Sequence, residues 1–317
     1  MIQEKHLESF EIWSRDLTKI YEKRKAAFEA VSQINLRVKP GIHGFLGPNG
    51  AGKTTTINML VGALSITAGE ARLRGEKAGS ITARRLIGYL PQDPILYKRK
   101  TAEQYLIYMG RLGGLKKKEA KRKAQELLQY FNLLNERYKK LGKFSGGMKQ
   151  KIALAAAIIH DPKILILDEP TTNLDPLGRS AIIAKIKELS KTMSVFVSSH
   201  ILSEVEQICD TITILNRGKI ILSDSLVKIK KEFLGNVYIL HTNKNLKILE
   251  ELKTKDFILK AWIDDRTDKI HILSKDSEKL QELMKKIILD HEVKIFSFTQ
   301  PELSLQEIFM RFINEAI

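Results

Sequence analysis

Apolar residues fall along the chain in short runs and alternations that predict strands interleaved with helices. Ile34, Leu36 and Val38 alternate with polar neighbours, as a strand with one buried face requires, and Pro40-Gly41 then makes a turn. Ile42 to Leu46 is a short apolar strand that runs straight into a glycine-rich loop. Lys53 to Leu64 then reads as a helix buried on one side, and Ile87 to Leu90 as another strand. Residues 102–140 are strongly helical: Tyr105, Leu106, Met109 and Leu112 share one face, as do Ala124, Leu127, Leu128 and Phe131. A helix over Gly147 to Ile159 precedes Ile164 to Leu167, an apolar strand of the kind buried on both faces in a parallel sheet. A helix over 177–190 and a strand at Val195 to Val197 complete a further strand–helix–strand unit. Thr211 to Leu215 and Lys219 to Leu222 flank Asn216-Arg217-Gly218 as a hairpin.

The pattern changes near 224–236, which places a domain boundary at about residue 230. Beyond it the periodicity predicts a strand at Val237 to His241, a helix over 245–254 and a strand pair, Phe257 to Ile263 and Lys269 to Leu273. A helix over 276–289, a strand at Val293 to Phe298 and a helix over 303–315 follow. That β-α-β-β-α-β order is the ferredoxin-like arrangement.

Composition narrows the class. The 317 residues exceed one average domain, and 43% hydrophobic with 28% charged residues suits a globular protein rather than a disordered one. The longest unbroken apolar run, Ile152 to Ile159, falls far short of the roughly 18 residues of a spanning helix. Acidic residues stand where a signal peptide would carry its apolar segment, so the expectation is a soluble, cytoplasmic chain. The one cysteine, Cys209, excludes an intrachain disulfide and a cysteine-built metal site; it reads as a buried small side chain. The seven histidines show no metal-ligand spacing, and Trp13 and Trp262 read as core or interface anchors. The net charge of +16 is uneven: residues 1–236 hold 40 basic and 23 acidic side chains, and 237–317 hold 13 and 14. Residues 98–151 alone carry 16 basic against four acidic. A solvated helical surface, attraction to an anionic leaflet and attraction to nucleic acid all fit that surplus, and charge alone does not choose among them.

Chemistry first shows in Gly47-Pro48-Asn49-Gly50-Ala51-Gly52-Lys53-Thr54, which satisfies GxxxxGK[ST] between a predicted strand and a helix. In that context glycines let backbone N–H groups turn inward around phosphate oxygens, and the helix N-terminus adds partial positive charge. Lys53 is placed to neutralise β- and γ-phosphates and the Thr54 hydroxyl to coordinate Mg²⁺. The motif predicts nucleoside triphosphate binding. A second centre, Ile164-Leu165-Ile166-Leu167-Asp168-Glu169-Pro170, is a buried strand that ends in two carboxylates. Asp168 suits a second-shell acceptor for hydrated metal and Glu169 a general base for water. Phe144-Ser145-Gly146-Gly147-Met148-Lys149-Gln150 lies directly before a predicted helix, where a capping hydroxyl and free backbone donors make a second anion-binding nest.

Taken with Gln92, Asp175 and His200 in order and spacing, these segments resemble the nucleotide-binding subunit of an ATP-binding cassette (ABC) transporter over about residues 10–225. GPNGAGKT is similar to the Walker A loop, LILDEP to the Walker B strand and FSGGMKQ to the signature usually written LSGGQ, from which it departs at Phe144 and Met148. The resemblance implies a P-loop NTPase cassette, an α/β fold with a RecA-like core, an antiparallel β subdomain and a helical insert at about 93–143. The domains are then 10–230 for the cassette and 237–317 for a small α+β accessory or regulatory unit. ATP and Mg²⁺ are the implied cofactors. Tyr21 would stack on adenine; Gly47, Pro48, Asn49, Gly50, Ala51, Gly52, Lys53, Thr54 and Thr55 would hold phosphates. Gln92, with Thr54, would meet the metal, Asp168 would act through water, and Glu169 and His200 would position the attacking water. Ser145, Gly146, Gly147 and Met148 would contact the ATP of a partner cassette, with Asp175 in the D-loop between them.

One chain holds one Walker A and one signature, so the resemblance further implies a second nucleotide-binding subunit and a polytopic permease, at the cytoplasmic face of the membrane, with no nucleic acid partner. The N-terminal segment LTKIYEKRKAAFEAVSQINLRVKPG, the insert, the C-terminal unit and the close Pro301-Glu302-Leu303-Ser304-Leu305-Gln306-Glu307-Ile308-Phe309 resemble ATPases of the ABC-2 class of exporters. Two alternatives stand beside this: a soluble ABC ATPase acting on nucleic acid or ribosomes, and an importer ATPase. Only 115 residues separate Lys53 from Asp168, too few for the long coiled coils of DNA-repair members.

Overall fold

The structure is a computed structural model that describes residues 10–23, 26–234, 237–264, 266–289, 293–300 and Leu305. Apart from Leu305, the helix expected over 303–315 and the closing motif at 301–309 lie outside the described residues. The chain divides into two compact units, Met1–Leu226 and Val227–Ile317.

The first unit opens with β1 (Ile12–Lys23), β2 (Ala26–Ile34) and β3 (Arg37–Val38), then β4 (Ile42–Leu46) and the helix Lys53–Leu60. β5 (Ala68–Leu73) and β6 (Glu76–Lys77) follow, then the helix Ile81–Leu86 and β7 (Ile87–Leu90). β1, β2, β5 and β6 form an antiparallel sheet in the order β2-β1-β5-β6, with β3 also paired to β1. Most of this sheet is invisible to period-two reading, because β1 and β2 mix Lys, Glu and Thr into their sequences and carry register shifts. The helix after the glycine-rich loop ends at Leu60, four residues before its predicted end, in a turn where Gly62 takes φ +75.

The expected helical insert is not one run of helix. It comprises the helices Ala102–Leu112 and Lys117–Tyr130, separated at Gly113-Gly114, where Gly114 adopts φ +94, followed by two short 3-10 turns. Thr101 starts the first helix with a capping box: its hydroxyl accepts Gln104 N–H at 3.3 Å while Gln104 Oε1 accepts Thr101 N–H at 3.1 Å. Tyr105 and Leu106 are buried as predicted, but Leu112 is exposed, because Gly110 rather than Leu112 faces the adjoining helix.

The helix Gly146–Ile158 leads into β8 (Ile164–Asp168), the helix Pro176–Leu189, β9 (Ser194–Ser199), the helix Leu202–Ile208 and the hairpin β10 (Thr211–Asn216) to β11 (Lys219–Ser225). Arg217 and Gly218 turn that hairpin with φ 47 and 78, the doubly left-handed geometry that matches strand twist. The second sheet runs β11-β10-β4-β9-β8-β7, parallel throughout except for the β10–β11 hairpin. β4, β8 and β9 are buried at every position, and in β8 both faces are apolar, which is why Ile164 to Leu167 reads as a continuous apolar run. Phe45 and Phe196 pack at 5.0 Å in a core that joins Ile12, Leu17 and Val31 of the antiparallel sheet to Ile57, Leu60, Ile164 and Ile166.

The second unit holds the helix Leu226–Leu234 but for its first residue, then β12 (Val237–Thr242), the helix Asn245–Lys253, β13 (Ile258–Asp264), β14 (Lys269–Ser274), the helix Ser277–Leu289 and β15 (Ile295–Thr299). Its sheet order, β13-β14-β12-β15, is antiparallel at every pairing, as the β-α-β-β-α-β order requires. Tyr238, Leu240, Ile270 and Ile272 bury one sheet face against Ile248, Leu252, Leu280 and Met284 of the helices. Neither tryptophan is a fully buried core side chain: Trp13 is half-buried and Trp262 is exposed, stacked on His271 across the strand pair. Cys209 is buried and free, with burial pushing its thiol pKa far up.

Candidate nucleotide site

The parallel sheet explains why residues distant in sequence meet. β4, β7, β8 and β9 run in one direction, so the loops after Leu46, Leu90, Asp168 and Ser199 leave the same edge. Ligand sites in open α/β sheets form at that carboxyl edge. Residues 47–55 follow β4, Gln92 follows β7, Glu169 follows β8 and His200 follows β9.

The loop 47–52 needs its glycines where backbone comes close. A Cβ on Gly47 would lie 2.6 Å from Leu215 O, and one on Gly52, which adopts φ +103, would lie 2.7 Å from Ala30 O. Lys53 then starts the helix with its side chain folded back, donating to Gly47 O at 2.8 Å. The loop borders a pocket of 410 Å³ lined by Tyr21, Phe28 and Ala30 at one side, Pro48 to Thr55 along the loop, and Gln92 and Glu169.

At the end of β8 the two carboxylates differ. Ser198 on the neighbouring strand serves both: its hydroxyl donates to Asp168 Oδ1 at 2.6 Å and accepts Glu169 N–H at 2.9 Å. Glu169 has φ +50, an uncommon conformation for a side chain of its size, and this turns the carboxylate away from the strand. Its Oε1 lies 3.3 Å from Lys53 Nζ and its Oε2 lies 2.6 Å from His200 Nδ1. Burial raises the Asp168 pKa, and the neighbouring Glu169 charge adds to it, while bonds from Ser198 and Thr54 and the Lys53 charge pull it back. Asp168 Oδ2 is buried and has no hydrogen-bond partner among the described residues. An orphaned carboxylate oxygen next to a hydroxyl at a helix start is hard-oxygen chemistry that fits Mg²⁺. Among the described residues no group of three or more His, Cys, Asp or Glu side chains could hold a metal unaided. A metal there would draw on phosphate and water.

Ser145 caps the helix Gly146–Ile158, its hydroxyl accepting Met148 N–H at 3.3 Å, and neither it nor Gly146, Gly147 or Met148 lines the pocket. Asp175 likewise caps the helix Pro176–Leu189 through Gly178 N–H at 3.0 Å. Three residues that the motif reading passed over hold the site together. Ser198 joins the two carboxylates, Gln150 donates to Pro170 O at 2.6 Å and so ties the signature helix to the β8 turn, and Phe28 adds an exposed ring beside Tyr21. Gln150 carried a signal in FSGGMKQ, whereas Ser198 and Phe28 become visible only through strand pairing.

Comparison with known proteins agrees with this geometry. A family model described as ABC transporter matches residues 31–172. An ABC transporter ATP-binding protein of Bacillus subtilis, YxlF, is 44% identical over 219 residues, covering 69% of this chain and 73% of its own. The bacitracin transport ATP-binding protein of Bacillus licheniformis is 35% identical over 311 residues, covering 96% of this chain and 97% of its own. Among solved structures, a dimeric bacterial ABC transporter cassette superposes with a TM-score of 0.62 at 25% identity, over 68% of this chain and 98% of that one. With the P-loop, Gln92 and Glu169 lining one pocket and His200 hydrogen-bonded to that glutamate, the chain belongs to the ATP-binding subunits of ABC transporters and is an ABC ATPase of the P-loop fold.

Proposed function

We propose that the protein is the ATP-hydrolysing subunit of an ABC-2 type exporter, closing on ATP against a second cassette and driving a polytopic permease. The observation that carries this is an incomplete half-site. The pocket contains Lys53, Gln92 and Glu169, while Ser145 to Met148 of the same chain stand outside its lining. Closure with a second copy would bring that helix start onto the partner's triphosphate. The dimeric cassette of similar fold supports the same reading.

In this reading Tyr21 stacks on the base and residues 47–55 wrap the phosphates, with Lys53 neutralising charge on the β- and γ-groups. Thr54, Gln92 and, through water, Asp168 would hold Mg²⁺, which supplies charge neutralisation on the phosphate oxygens when bound. Glu169 accepts the proton of the attacking water, and His200, hydrogen-bonded to Glu169, orients it. Asp175 sits at the contact between cassettes. Residues 237–317 act as an accessory unit that stabilises or regulates the dimer; the match to the bacitracin transport protein, over 96% of this chain, extends across this region. The basic surplus of residues 98–151 suits a position beside an anionic leaflet. No helix among the described residues is long and apolar enough to cross a membrane, so attachment would run through the permease.

The test is affinity purification of the tagged protein from gently solubilised membranes of its own cell. Co-purification of a polytopic protein of about six spans supports the exporter reading. Nuclease-sensitive association with nucleic acid, without a membrane partner, overturns it.

A further inference from the structure

A second cavity lies at the other edge of the parallel sheet. The phosphate loop follows the end of β4, whereas His43 is its second residue and so sits at the opposite edge. Thr211, the first residue of β10, lies beside His43 in register. Both border a cavity of 680 Å³ that shares no residue with the nucleotide pocket. Its rim is basic. Trp13 on β1 pairs directly with Arg37 on β3, and Arg15 and Lys39 stand two residues along the chain from them, so all four share one face. The Arg15 guanidinium lies 5.8 Å from the centre of the half-buried Trp13 ring and pairs with Glu70 at 2.6 Å. Arg37 and Lys39 are exposed, and their side chains have no hydrogen bond or ion pair among the described residues. Asp224 also lines the cavity, its Oδ1 accepting Ser225 N–H at 2.8 Å.

The floor is a chain of hydrogen bonds with one hydrogen to spare. Thr211 Oγ1 meets His43 Nδ1 at 2.7 Å, His43 Nε2 meets Thr213 Oγ1 at 2.9 Å, and Thr213 Oγ1 meets Ser223 Oγ at 2.7 Å. His43, neutral because it is buried, brings one N–H, and the three hydroxyls bring one O–H each, so four hydrogens serve three bonds. Thr213 is completely buried, which leaves the spare hydrogen to Thr211 or Ser223, and both line the cavity.

We infer that this cavity binds a soluble nucleoside monophosphate, with its base against Trp13 and its phosphate on Arg37, Lys39 and the spare hydroxyl hydrogen. Two cations without partners and a hydroxyl donor suit a phosphate dianion better than a single carboxylate. The indole offers a flat surface on which a base stacks, and the Asp224 carboxylate is an acceptor for ribose hydroxyls. The cavity volume falls in the range of small-molecule sites.

The experiment is fluorescence titration of the full chain carrying Trp262→Phe, which leaves Trp13 as its one tryptophan. The probes are AMP, adenosine, inorganic phosphate and phosphatidate vesicles. AMP should change the Trp13 emission saturably, with adenosine and inorganic phosphate each weaker by at least about tenfold. Arg37→Glu with Lys39→Glu should weaken AMP by at least about tenfold, and Arg37→Lys should keep most of the affinity. Lys53→Ala should leave the AMP signal unchanged, because the phosphate loop is not part of this cavity. Absence of a saturable AMP signal overturns the inference, as does adenosine or inorganic phosphate binding as tightly as AMP. Wild-type AMP affinity in the charge-reversed variant, or loss of the signal in Lys53→Ala, does the same. A response to phosphatidate vesicles alone would assign the rim to a lipid headgroup and equally overturn a soluble ligand.

Discussion

Lys53 Nζ lies 3.3 Å from Glu169 Oε1, and both side chains are almost completely buried. The pair joins the start of the helix after the phosphate loop to the end of β8, and His200 closes the other side of the carboxylate at 2.6 Å. The ammonium proposed to receive phosphates is thus paired with the carboxylate proposed as base. In the proposed reading a triphosphate would compete with Glu169 for Lys53 and so free Oε1 for water while Oε2 stays on His200.

The pair has a stability consequence that can be measured without nucleotide. Removing Lys53 leaves a buried carboxylate short of its cation, and a broken buried pair costs about 3 kcal/mol or more. Lys53→Ala should therefore unfold at lower urea than wild type, and adding Glu169→Gln should recover most of the loss. A double-mutant cycle with purely additive effects would show that the two residues do not interact in solution.

Turnover tests the role of Glu169 itself. Glu169→Gln keeps the shape and the bond to His200 but cannot accept a proton, so steady-state hydrolysis should fall by at least about 10²-fold. ATP should then hold the variant as a dimer, seen as a doubled mass in analytical ultracentrifugation. Hydrolysis at the wild-type rate would remove Glu169 from its assigned place.

Much of this site is legible in one dimension, and the reason is local. Gly47 to Thr54 wraps a phosphate through consecutive backbone atoms, so a contiguous motif is enough to reveal it. Buried parallel strands such as Ile164 to Leu167 also show themselves, because both faces are apolar. The antiparallel β1–β2 pair hides, since its exposed positions carry charges and its register slips twice. Phe28 and Ser198 acquire their places from partners on another strand, a relation that spacing along the chain does not encode. Leu112 misleads for a related reason: it follows helical spacing, yet the neighbouring helix packs against Gly110.

Ser145 separates binding from turnover. Its hydroxyl is spent on capping its own helix and it stands outside the pocket of its own chain. Ser145→Arg places bulk and charge at the face where a second cassette would dock. ATP affinity of the single chain should stay within about twofold of wild type, while hydrolysis and ATP-dependent dimer formation are lost. Full hydrolysis by this variant would mean that a single chain completes the site, against the half-site reading.

His43 gives the cassette a pH dependence of defined sign. It lies wholly buried on β4, stacked on Phe196 at 5.5 Å, with Nδ1 and Nε2 bonded to the hydroxyls of Thr211 and Thr213 at 2.7 and 2.9 Å. Burial lowers its pKa from 6.5 to about 3. Between those values the unfolded chain binds a proton that the folded chain refuses, so stability falls as pH falls through 6.5 and is fully present above it. At pH 5 this one group accounts for roughly 2 kcal/mol lost relative to pH 8. His43→Gln, neutral at both pH values, should be less stable than wild type at pH 8 and lose less on acidification. The measurement is urea unfolding of both proteins at the two pH values, and equal pH-dependent losses would mean that His43 is not held neutral in the fold.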